Sequence, residues 1–439
     1  MKSKIRLRFL SCIIGIVVGL PIILSATTIG TAKSLALGDA FITKASGYSA
    51  VNWNPANLGA NYNPLSFNLF HVSIDASNNS FSPDYYNSLM GKYLDDDDKK
   101  DLLQRIPDDQ LQFKSGLGTQ LPLFSFSIGH FGFTPQVVIG MSSGLSKRLL
   151  EFVVEDIEFT EYNFSDTDGE VVAFGEVKIG YGHKLPLENV LPPHIPPIYG
   201  GINLGYMLGI GYAKVMDMES SFINSIDGMQ LDNSIKIQTA GYNTEEEELS
   251  VIAGSGMRLD IGFFSHITEN IDVGLAIRNL FASIKWDDNC EEHVISVYSD
   301  SSFNTVDLMD EVDSLIIDTD TTYTIGSITQ KIPVELHLGG SYKVMRNLNL
   351  YLDYVQGFKN STLTSSKPKF SLGCEYYPIA WLPIRAGIGL GGEKPVHFSF
   401  GSGVELRNFE FSWGIRSYGS PIPIHTKGTA IALESNIRF

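Results

Sequence analysis

The amino-acid sequence predicts an all-β protein: a transmembrane antiparallel β-barrel of about 14 strands, with an N-terminal plug and a short helical insertion in its first outer loop. Three observations support the barrel. Apolar residues alternate with polar residues or glycine in many segments, the connections between segments are alternately long and short, and the last strand ends in an aromatic residue. A chain of 439 residues exceeds the usual size of one globular domain but suits a large barrel.

The alternation is clear near the C-terminus. Every odd position from residue 409 to residue 415 is apolar, and the even positions are Glu410, Ser412 and Gly414. A strand of this kind has one apolar face and one polar face. The same pattern recurs in the segments 177–181, 202–212, 259–263, 271–277, 334–339, 348–354, 384–390, 396–406 and 429–439.

A soluble β-sandwich would also alternate, so the composition of the polar face decides between the two folds. The polar face of a sandwich meets bulk water and would be rich in Lys, Thr and Glu, with little need for glycine. In this chain the polar positions mix glycine with isolated charges, which suits a crowded interior where opposite charges pair. The barrel is therefore favoured over the sandwich.

The lengths of the connections agree with a barrel whose first strand, near residues 65–75, runs away from the periplasm. Odd-numbered connections should then be long outer loops and even-numbered ones tight turns. Long segments are 76–120, 146–170, 217–250 and 289–331, and short ones lie around 132–134, 268–270, 345–347 and 407–408. The Pro-rich segment 184–199 is long where a short turn is expected, and its composition suggests only a rigid periplasmic flap.

Residues 1–32 predict a secretory signal peptide. Basic residues at positions 2, 4, 6 and 8 precede an apolar run at 9–24, and small residues then offer cleavage after Ala26 or Ala32. The apolar run is short for a membrane-spanning helix, which needs about 20 residues. Export to the outer membrane of a Gram-negative type of envelope follows, with a plug at 33–64 and the barrel at 65–439.

Charge and motif content argue against several other classes of protein. The net charge of −17 opposes a nucleic-acid partner. The nine His residues form no His-x-x-x-His pair and the three Cys residues form no Cys-x-x-Cys pair, so we predict no catalytic residues, no metal site, no cofactor and no enzyme activity. After signal removal Cys290 and Cys374 remain, too few for a disulfide scaffold.

The segment at residues 35–59 does not alternate. It predicts a short helix around residues 39–45 and then a turn rich in Gly, Asn and Pro that ends at Asn54, Pro55 and Ala56. By itself this composition suits an ordinary capped helix and an Asn-Pro turn.

Two sets of motifs resemble a known superfamily. "LGDAF" followed by "AVNWNPA", after a signal peptide, resembles the hatch of the FadL-type long-chain fatty-acid transporter superfamily, which includes PorV-like relatives. "VGLAIRNLF" at 273–281 and "IRAGIGLGG" at 384–392 are similar to strands of the PorV-like branch. The resemblance implies a fourteen-stranded barrel whose plug carries Asn54, Pro55 and Ala56 inside the lumen, with a role in transport.

The alternation of apolar and polar positions along each strand predicts which charged residues face the lumen. Fatty-acid transport would require a basic residue near the carboxylate of the ligand, and Arg258, Arg278, Arg385 and Arg416 are candidates. We interpret each of them as a structural partner of lumen acids. The candidate lumen charges are Asp353, Arg385, Glu405, Glu410, Arg416 and Glu434.

Other segments indicate partners. The first outer connection predicts helices at 84–94 and from Asp95 towards Pro107. The terminal Phe439 on an amphipathic strand resembles the signal read by the barrel-assembly machinery, and the apolar outer face predicts contact with outer-membrane lipid. Two functions remain open: passage of a hydrophobic or amphipathic ligand past the plug, which a glycine-rich lumen would suit, or a PorV-like barrel that binds secreted proteins through its long acidic loops.

Overall fold

The computed structural model describes residues 30–60, 65–107, 110–155, 158–188, 192, 194–226, 228–243, 248–299 and 316–439. Within these ranges fourteen antiparallel strands form a barrel, which is closed because the last strand pairs with the first. The predicted fold class is confirmed. The strands are β1 Leu65–Asn78, β2 Gln110–Gln120 continuing as Phe126–Ile128, β3 Phe131–Ser146, β4 Asp168–Lys184, β5 Ile198–Ser225, β6 Gly254–His266, β7 Ile271–Trp286, β8 Glu335–Met345, β9 Leu348–Gly357, β10 Lys369–Ile379, β11 Leu382–Gly391, β12 His397–Glu405, β13 Phe409–Tyr418 and β14 Gly428–Arg438.

The apolar faces of the strands point outward and the polar faces point into the lumen. On β13, Ile415 is 41% exposed whereas Glu410 is 3% exposed, and on β14 Ile431 is 49% exposed whereas Glu434 is 2% exposed. Exposed apolar side chains around a closed cylinder, with charges inside, are the arrangement of a membrane barrel. Among the described residues, no helix is long and apolar enough to cross a membrane.

The connections follow the predicted alternation of long and short. Inner turns are short at 267–270, 346–347, 380–381 and 406–408. The first inner turn lies at 129–130 and not at 132–134, because residues 131–133 already pair with β2 and β4. The Pro-rich connection runs over 185–197; its described residues lie at the inner end of the barrel and include the half-buried Leu185, whose backbone N–H donates to Ile198 O.

The outer end of the barrel carries additional structure. The upper half of β5 pairs with Gly228–Ala240, which pairs in turn with Glu291–Ser299 and then Ile316–Thr324, so that this sheet continues above the rim. The strand Ile328–Lys331 pairs with the top of β7, and three strands of two residues, Glu161–Tyr162, Tyr242–Asn243 and Glu248–Leu249, complete the outer connections.

Helices occupy the plug and the outer loops. The plug holds α1 Ala32–Ala36, a 3-10 turn at Gly47–Ser49, α2 Ala50–Trp53 and α3 Asn57–Ala60. The predicted helical insertion in the first outer loop is present as α4 Pro83–Leu89 and α5 Asp96–Gln104, each capped by the residue before it, Ser82 and Asp95. A further helix, α6 Lys147–Val154, and a 3-10 turn at Pro423–His425 lie in later outer connections.

The helix predicted at residues 39–45 is wrong. The helix of this region lies earlier, at α1, where the Thr31 side chain accepts from the backbone N–H of Ser34. Gly38 and Asp39 then have φ values of 67° and 71°, which end the helix, and the backbone N–H groups of Phe41 and Ile42 donate to a wall carboxylate instead of a helical carbonyl. Contact with the wall has overridden local helix propensity.

The predicted domain division is only partly within the described residues. The signal peptide and the end of the plug, residues 1–29 and 61–64, lie outside them. Thr31 and Ala32 are buried in the lumen at the start of α1. Of the two cleavage sites, the one after Ala26 retains the Thr31 cap, whereas the one after Ala32 would remove it. The exact boundary stays a prediction.

Candidate functional site: the plugged lumen

Wall glycines make room for the backbone of the plug. A Cβ atom built on Gly201 of β5 would lie 2.6 Å from Pro55 O, one on Gly262 of β6 would lie 2.8 Å from Pro55 Cδ, and one on Gly387 of β11 would lie 2.7 Å from Leu37 O. Real Cβ atoms do not approach so closely, so these positions require glycine. From the sequence, the glycine-rich lumen was interpreted as suiting an open pathway. Beside the plug the structure gives these glycines another role, because they leave the space that the plug occupies.

The Asn54-Pro55-Ala56 motif anchors the plug to the wall. Asn54 Nδ2 donates to the Phe263 carbonyl of β6 at 3.0 Å, and Asn54 Oδ1 accepts from the Ala56 backbone N–H at 3.1 Å, which closes an Asx turn. Asn57 Nδ2 bridges the carbonyls of Ile42 and Ala45, at 2.9 Å each. These amides join both halves of the plug to each other and to β6, where composition alone suggested only a turn.

All three charged side chains between residues 30 and 60 form ion pairs with the wall. Lys33 pairs with Glu410 of β13, and Lys44 Nζ lies 2.7 Å from Glu375 Oε2 of β10. Asp39 is the only acid of the plug; its carboxylate lies 2.7 Å from Arg416 Nη2 of β13 and 3.0 Å from Lys369 Nζ of β10. Burial alone would raise the pKa of Asp39, but the charges of Arg416 and Lys369 outweigh it and hold that pKa well below its ordinary value.

We expect Asp39→Asn to loosen the first half of the plug, since it removes the anion between the buried cation of Arg416 and the partly buried one of Lys369. Hydrogen exchange of the backbone amides at residues 33–46 should become faster by at least about tenfold, the effect of roughly 1.4 kcal/mol. Asp96→Asn, which changes an acid on the outer helix α5 whose side chain is 90% exposed, is the matched control and should leave exchange in the plug unchanged. Equal protection in the two variants would show that this ion pair does not hold the plug.

The structure places all six candidate lumen charges inside the barrel but pairs them differently from the sequence interpretation. Arg385 pairs with lumen acids as expected: with Glu405, and with Glu375, to whose Oε1 its Nε donates at 2.8 Å. Arg416 pairs with the plug residue Asp39. The partners of the others are as follows: Glu410 pairs with Lys33 and Arg438, Glu434 accepts from the Lys33 backbone N–H at 3.4 Å, and Asp353 Oδ2 accepts from the backbone N–H groups of Phe41 and Ile42 at 2.7 and 2.8 Å.

Sequence reasoning missed Lys33, Asp39, Lys44 and Glu375. Tyr376 and Tyr377 follow Glu375 and blur the alternation of β10, which hid its inward position. The three plug residues did carry a signal, because they are isolated charges in a segment that is otherwise uncharged from residue 30 to residue 60. Isolated charges in a buried segment call for partners of opposite sign.

A second charged layer lies against the other half of the plug. Lys178 Nζ of β4 donates to Asn52 Oδ1 at 2.9 Å, and Arg258 of β6 pairs with Glu176 at 3.2 Å and Asp260 at 3.1 Å. Arg278 of β7 differs from the other three arginine candidates. It is buried, and within the described ranges its Nε and Nη1 atoms have no hydrogen-bond partner.

The plug separates two cavities. On the outer side a cavity of about 120 Å³ is bounded by Leu35 and Asp39 of the plug, Arg416 and Lys369 of the wall, and Leu363 of an outer loop. On the inner side a vestibule of about 730 Å³ opens, and its lining includes Lys33, Lys44, Glu405, Glu410 and Glu434. The plug and its ion pairs thus form the partition between an amphipathic outer cavity and a charged inner one.

The described residues form neither a metal site nor the nucleophile elbow of a hydrolase. In the described part of the chain no three His, Cys, Asp or Glu residues are grouped as metal ligands would be. The stretch Gly140-Met141-Ser142-Ser143-Gly144 matches the Gly-x-Ser-x-Gly pattern of hydrolases, which places serine on a sharp strand-to-helix turn. Here the stretch lies within β3, and Ser142 Oγ contacts Thr362 Oγ1 at 3.0 Å, so it forms no nucleophile elbow.

Comparison with known proteins assigns a family. The model of a family of unknown function, DUF5723, matches residues 55–414. The chain belongs to the DUF5723 family. A search of curated proteins gives no match for this DUF5723 protein.

Solved structures are similar to this DUF5723 protein. A TodX deltaS2S3 mutant, a monoaromatic hydrocarbon channel, superposes with a TM-score of 0.50 at 10% identity, covering 93% of this chain and 98% of that chain. The toluene transporter TodX of Pseudomonas putida has a TM-score of 0.47 at 11% identity, covering 94% and 98%, and a FadL homologue of Pseudomonas aeruginosa has 0.45 at 11% identity, covering 95% and 99%. At these identities the first likeness shows the barrel fold alone.

Proposed function

We propose that this DUF5723 protein is an outer-membrane channel that admits small hydrophobic or amphipathic molecules past its N-terminal plug. The observation that carries the proposal is the division of one lumen into two cavities by a plug that is held by ion pairs and hydrogen bonds. The outer cavity brings apolar Leu35 and Leu363 together with Lys369 and Arg416, which suits a molecule that has both an apolar and an acidic part. The shared fold with a hydrocarbon channel supports the same function.

Passage to the inner vestibule requires movement of the plug, because its backbone contacts the wall at Gly201 and Gly387 and its Asn54 and Pro55 side chains contact the wall at Gly262. The two halves of the plug are held differently: residues 33–44 by ion pairs to β10 and β13, and residues 51–57 by uncharged amides and backbone contacts to β4, β5 and β6. An amphipathic acid in the outer cavity would compete with Asp39 for Arg416 and Lys369. We propose that this competition releases the first half of the plug.

A break in β2 offers a second exit through the wall. Residues 121–125 leave the strand, and Leu123 and Phe124 project outward at 62% and 64% exposure. The backbone N–H of Leu123 donates to Asn68 O of β1 at 2.7 Å, that of Asn68 donates to Ser125 O at 2.8 Å, and that of Leu121 donates to Pro135 O of β3 at 3.0 Å. The proposed channel can therefore deliver a solute to the inner vestibule or, where these three bonds open, sideways towards lipid.

Localisation and assembly belong to the same proposal. The outward apolar faces fit contact with outer-membrane lipid, and export would use the predicted signal peptide. Phe439 lies just beyond β14 and is 62% exposed, and we propose that the barrel-assembly machinery recognises its ring. Membership of the PorV-like branch stays a prediction that rests on the motifs at 273–281 and 384–392.

The proposal is tested by uptake into Gram-negative host cells whose own long-chain fatty-acid channel is deleted. Cells that make the intact chain should take up labelled oleate faster than cells with an empty vector, and should exclude a labelled maltodextrin, since the plug blocks water-soluble sugars. A variant that lacks residues 35–59 should admit both. If the intact chain admits neither compound while the deletion variant admits both, the barrel is a closed one and the channel proposal fails.

Two observations favour a second candidate, a PorV-like barrel that binds secreted proteins and transports nothing. The plug fits the wall with no clearance at several glycines, and strands Gly228–Ala240, Glu291–Ser299 and Ile316–Thr324 extend the sheet above the rim. A stable complex of the purified chain with a secreted protein, lost when residues 228–240 and 291–324 are removed, would support this candidate. Oleate uptake that survives the same removal would support the channel.

A further inference from the structure

The outer connection between β9 and β10, residues 358–368, folds into the lumen. Thr362 and Thr364 at its tip are 3% and 5% exposed, although most residues of outer loops are accessible. The loop crosses to the opposite wall of the barrel. There Thr362 Oγ1 lies 3.0 Å from Ser142 Oγ of β3, and both the N–H and the hydroxyl of Thr362 bond to Glu170 Oε2 of β4.

The tip of this loop has a defined conformation. Ser361 Oγ accepts from the backbone N–H of Leu363 at 3.2 Å and of Thr364 at 3.1 Å, forming a compact turn. At the base, Gln356 Nε2 donates to Ser366 O at 2.7 Å. These bonds hold Leu363 at the apex of the loop, between the two walls.

Leu363 meets an apolar patch on the inner face of the barrel. This patch lies on the same inward faces that carry Glu176 and Lys178 nearer to the plug, yet its side chains are apolar and buried. A Cβ atom built on Gly140 would lie 2.9 Å from Val172 Cγ1 and 3.1 Å from Leu363 Cδ2, so Gly140 leaves space for the loop. The patch consists of Val138, Val172, Phe174, Met207, Ile284 and Trp286.

An apolar patch inside a lumen that is otherwise polar is unfavourable in contact with water and needs an apolar cover. Leu363 provides part of that cover here. The outer cavity of about 120 Å³ is lined by Leu363 of the loop and by Leu35 of the plug, and none of the six patch residues lines it. A hydrocarbon group in that cavity would therefore reach the patch by displacing Leu363.

We infer that the apolar lumen patch is a binding site for an uncharged hydrocarbon group, and that loop 358–368 is its lid, with Leu363 occupying the site when no ligand is bound. Thr362 holds the lid closed through Glu170 and Ser142. The inference rests on the proposed channel function, for which it identifies the outer binding step. It also assigns the chemistry of that step: the patch offers apolar side chains, and the charge at its edge, Glu170, is bonded to Thr362 of the lid, so recognition depends on apolar contact.

Trp286 provides a direct readout, because it belongs to the patch and is fully buried. The test uses the full chain in lipid nanodiscs, with Trp381 and Trp413 changed to Phe so that quenching through lipid is reduced, and bromobenzene as the probe. Bromobenzene should quench Trp286 saturably, and adding Trp286→Phe should abolish that saturable part. Heat-modifiable migration on electrophoresis shows that each variant has folded.

Two variants test the lid. Leu363→Ala removes the side chain that competes with the probe, and Thr362→Val removes the hydroxyl that bonds to Glu170 while retaining its shape. Each should tighten bromobenzene binding, Leu363→Ala by about tenfold. The matched controls are Leu352→Ala, on the outward face of β9 at 56% exposure, and Thr319→Val, exposed on an outer strand; both should bind bromobenzene as the parent chain does.

Quenching that rises linearly with bromobenzene in every variant, or equal affinity in Leu363→Ala and Leu352→Ala, would overturn this inference. The outcome is distinct from a failure of the proposed function. Saturable quenching in a chain that passes no oleate would refute the channel and retain the site. Oleate uptake without saturable quenching of Trp286 would retain the channel and refute the site.

Discussion

Replacing Gly201 with valine is expected to expel the second half of the plug and to convert the closed barrel into a conducting pore. The Cβ of residue 201 would lie 2.6 Å from Pro55 O and still closer to the backbone of Ala56, and neither wall nor plug backbone can yield there without breaking the contacts around Asn54. Overpacking of this kind costs about 1–3 kcal/mol at one site, and the extra methyl groups of valine add to it. Planar-bilayer recordings should show stepwise conductance that the parent chain lacks.

The matched control is Gly211→Val on the same strand. A Cβ on Gly211 meets no atom within 4 Å, so valine fits there and suits a β-strand. This variant should remain closed. If both variants conduct, valine disturbs β5 itself; if neither conducts, the plug has accommodated the new side chain and its fit against Gly201 is less strict than the structure indicates.

Replacing Arg385 with methionine is expected to be the most destabilising single change in the wall. The Arg385 side chain is fully buried between Glu375 and Glu405, and Glu375 is itself fully buried. Methionine would leave Glu405 without its cation and Glu375 with Lys44 alone, and removing one partner of a buried pair costs about 3–5 kcal/mol. The midpoint of urea unfolding in liposomes, followed by electrophoretic mobility, should fall accordingly.

Arg407→Met provides the comparison, because Arg407 is exposed in the turn between β12 and β13. This change should alter the unfolding free energy by less than about 0.5 kcal/mol. The double variant Arg385→Met/Glu405→Gln should recover part of the lost stability, since it removes the carboxylate that has lost its cation while Glu375 keeps Lys44 as its partner. A loss no greater for Arg385→Met than for Arg407→Met would show that the lumen network is solvated and weak.

The fold could be predicted from the sequence because the alternation along a strand is a local property. Each residue of β13 or β14 faces either lipid or lumen. Adjacent residues face opposite sides, so their types show directly which face is apolar and which is polar. The number of strands, the inward position of Glu410 and Glu434, and the helical insertion before β2 all followed from such local patterns. The first inner turn and the plug helix were misplaced by a few residues, because contact with the wall, and not local propensity, sets their ends.

The sequence predicted only part of the candidate site. Parity correctly placed Arg385 and Arg416 in the lumen, but Asp39, the partner of Arg416, lies 377 positions away along the chain and becomes its neighbour only when the plug enters the closed barrel. The Asn54-Pro55-Ala56 motif was visible, whereas its contact with Phe263 was not. The lid formed by residues 358–368 had no sequence signal, because nothing local distinguishes a loop that folds inward from one that remains at the rim.

By itself the sequence determined which face of each strand meets oil and which meets the lumen, that the chain is a barrel, and that a segment without alternation precedes it. The tertiary structure alone decided what fills the barrel: the plug seated on wall glycines, the pairing of its three charges, and the loop that covers the apolar patch. The physical reason is distance along the chain. Alternation depends on neighbours one or two residues apart, whereas packing across a lumen depends on residues that only the closure of the barrel brings together.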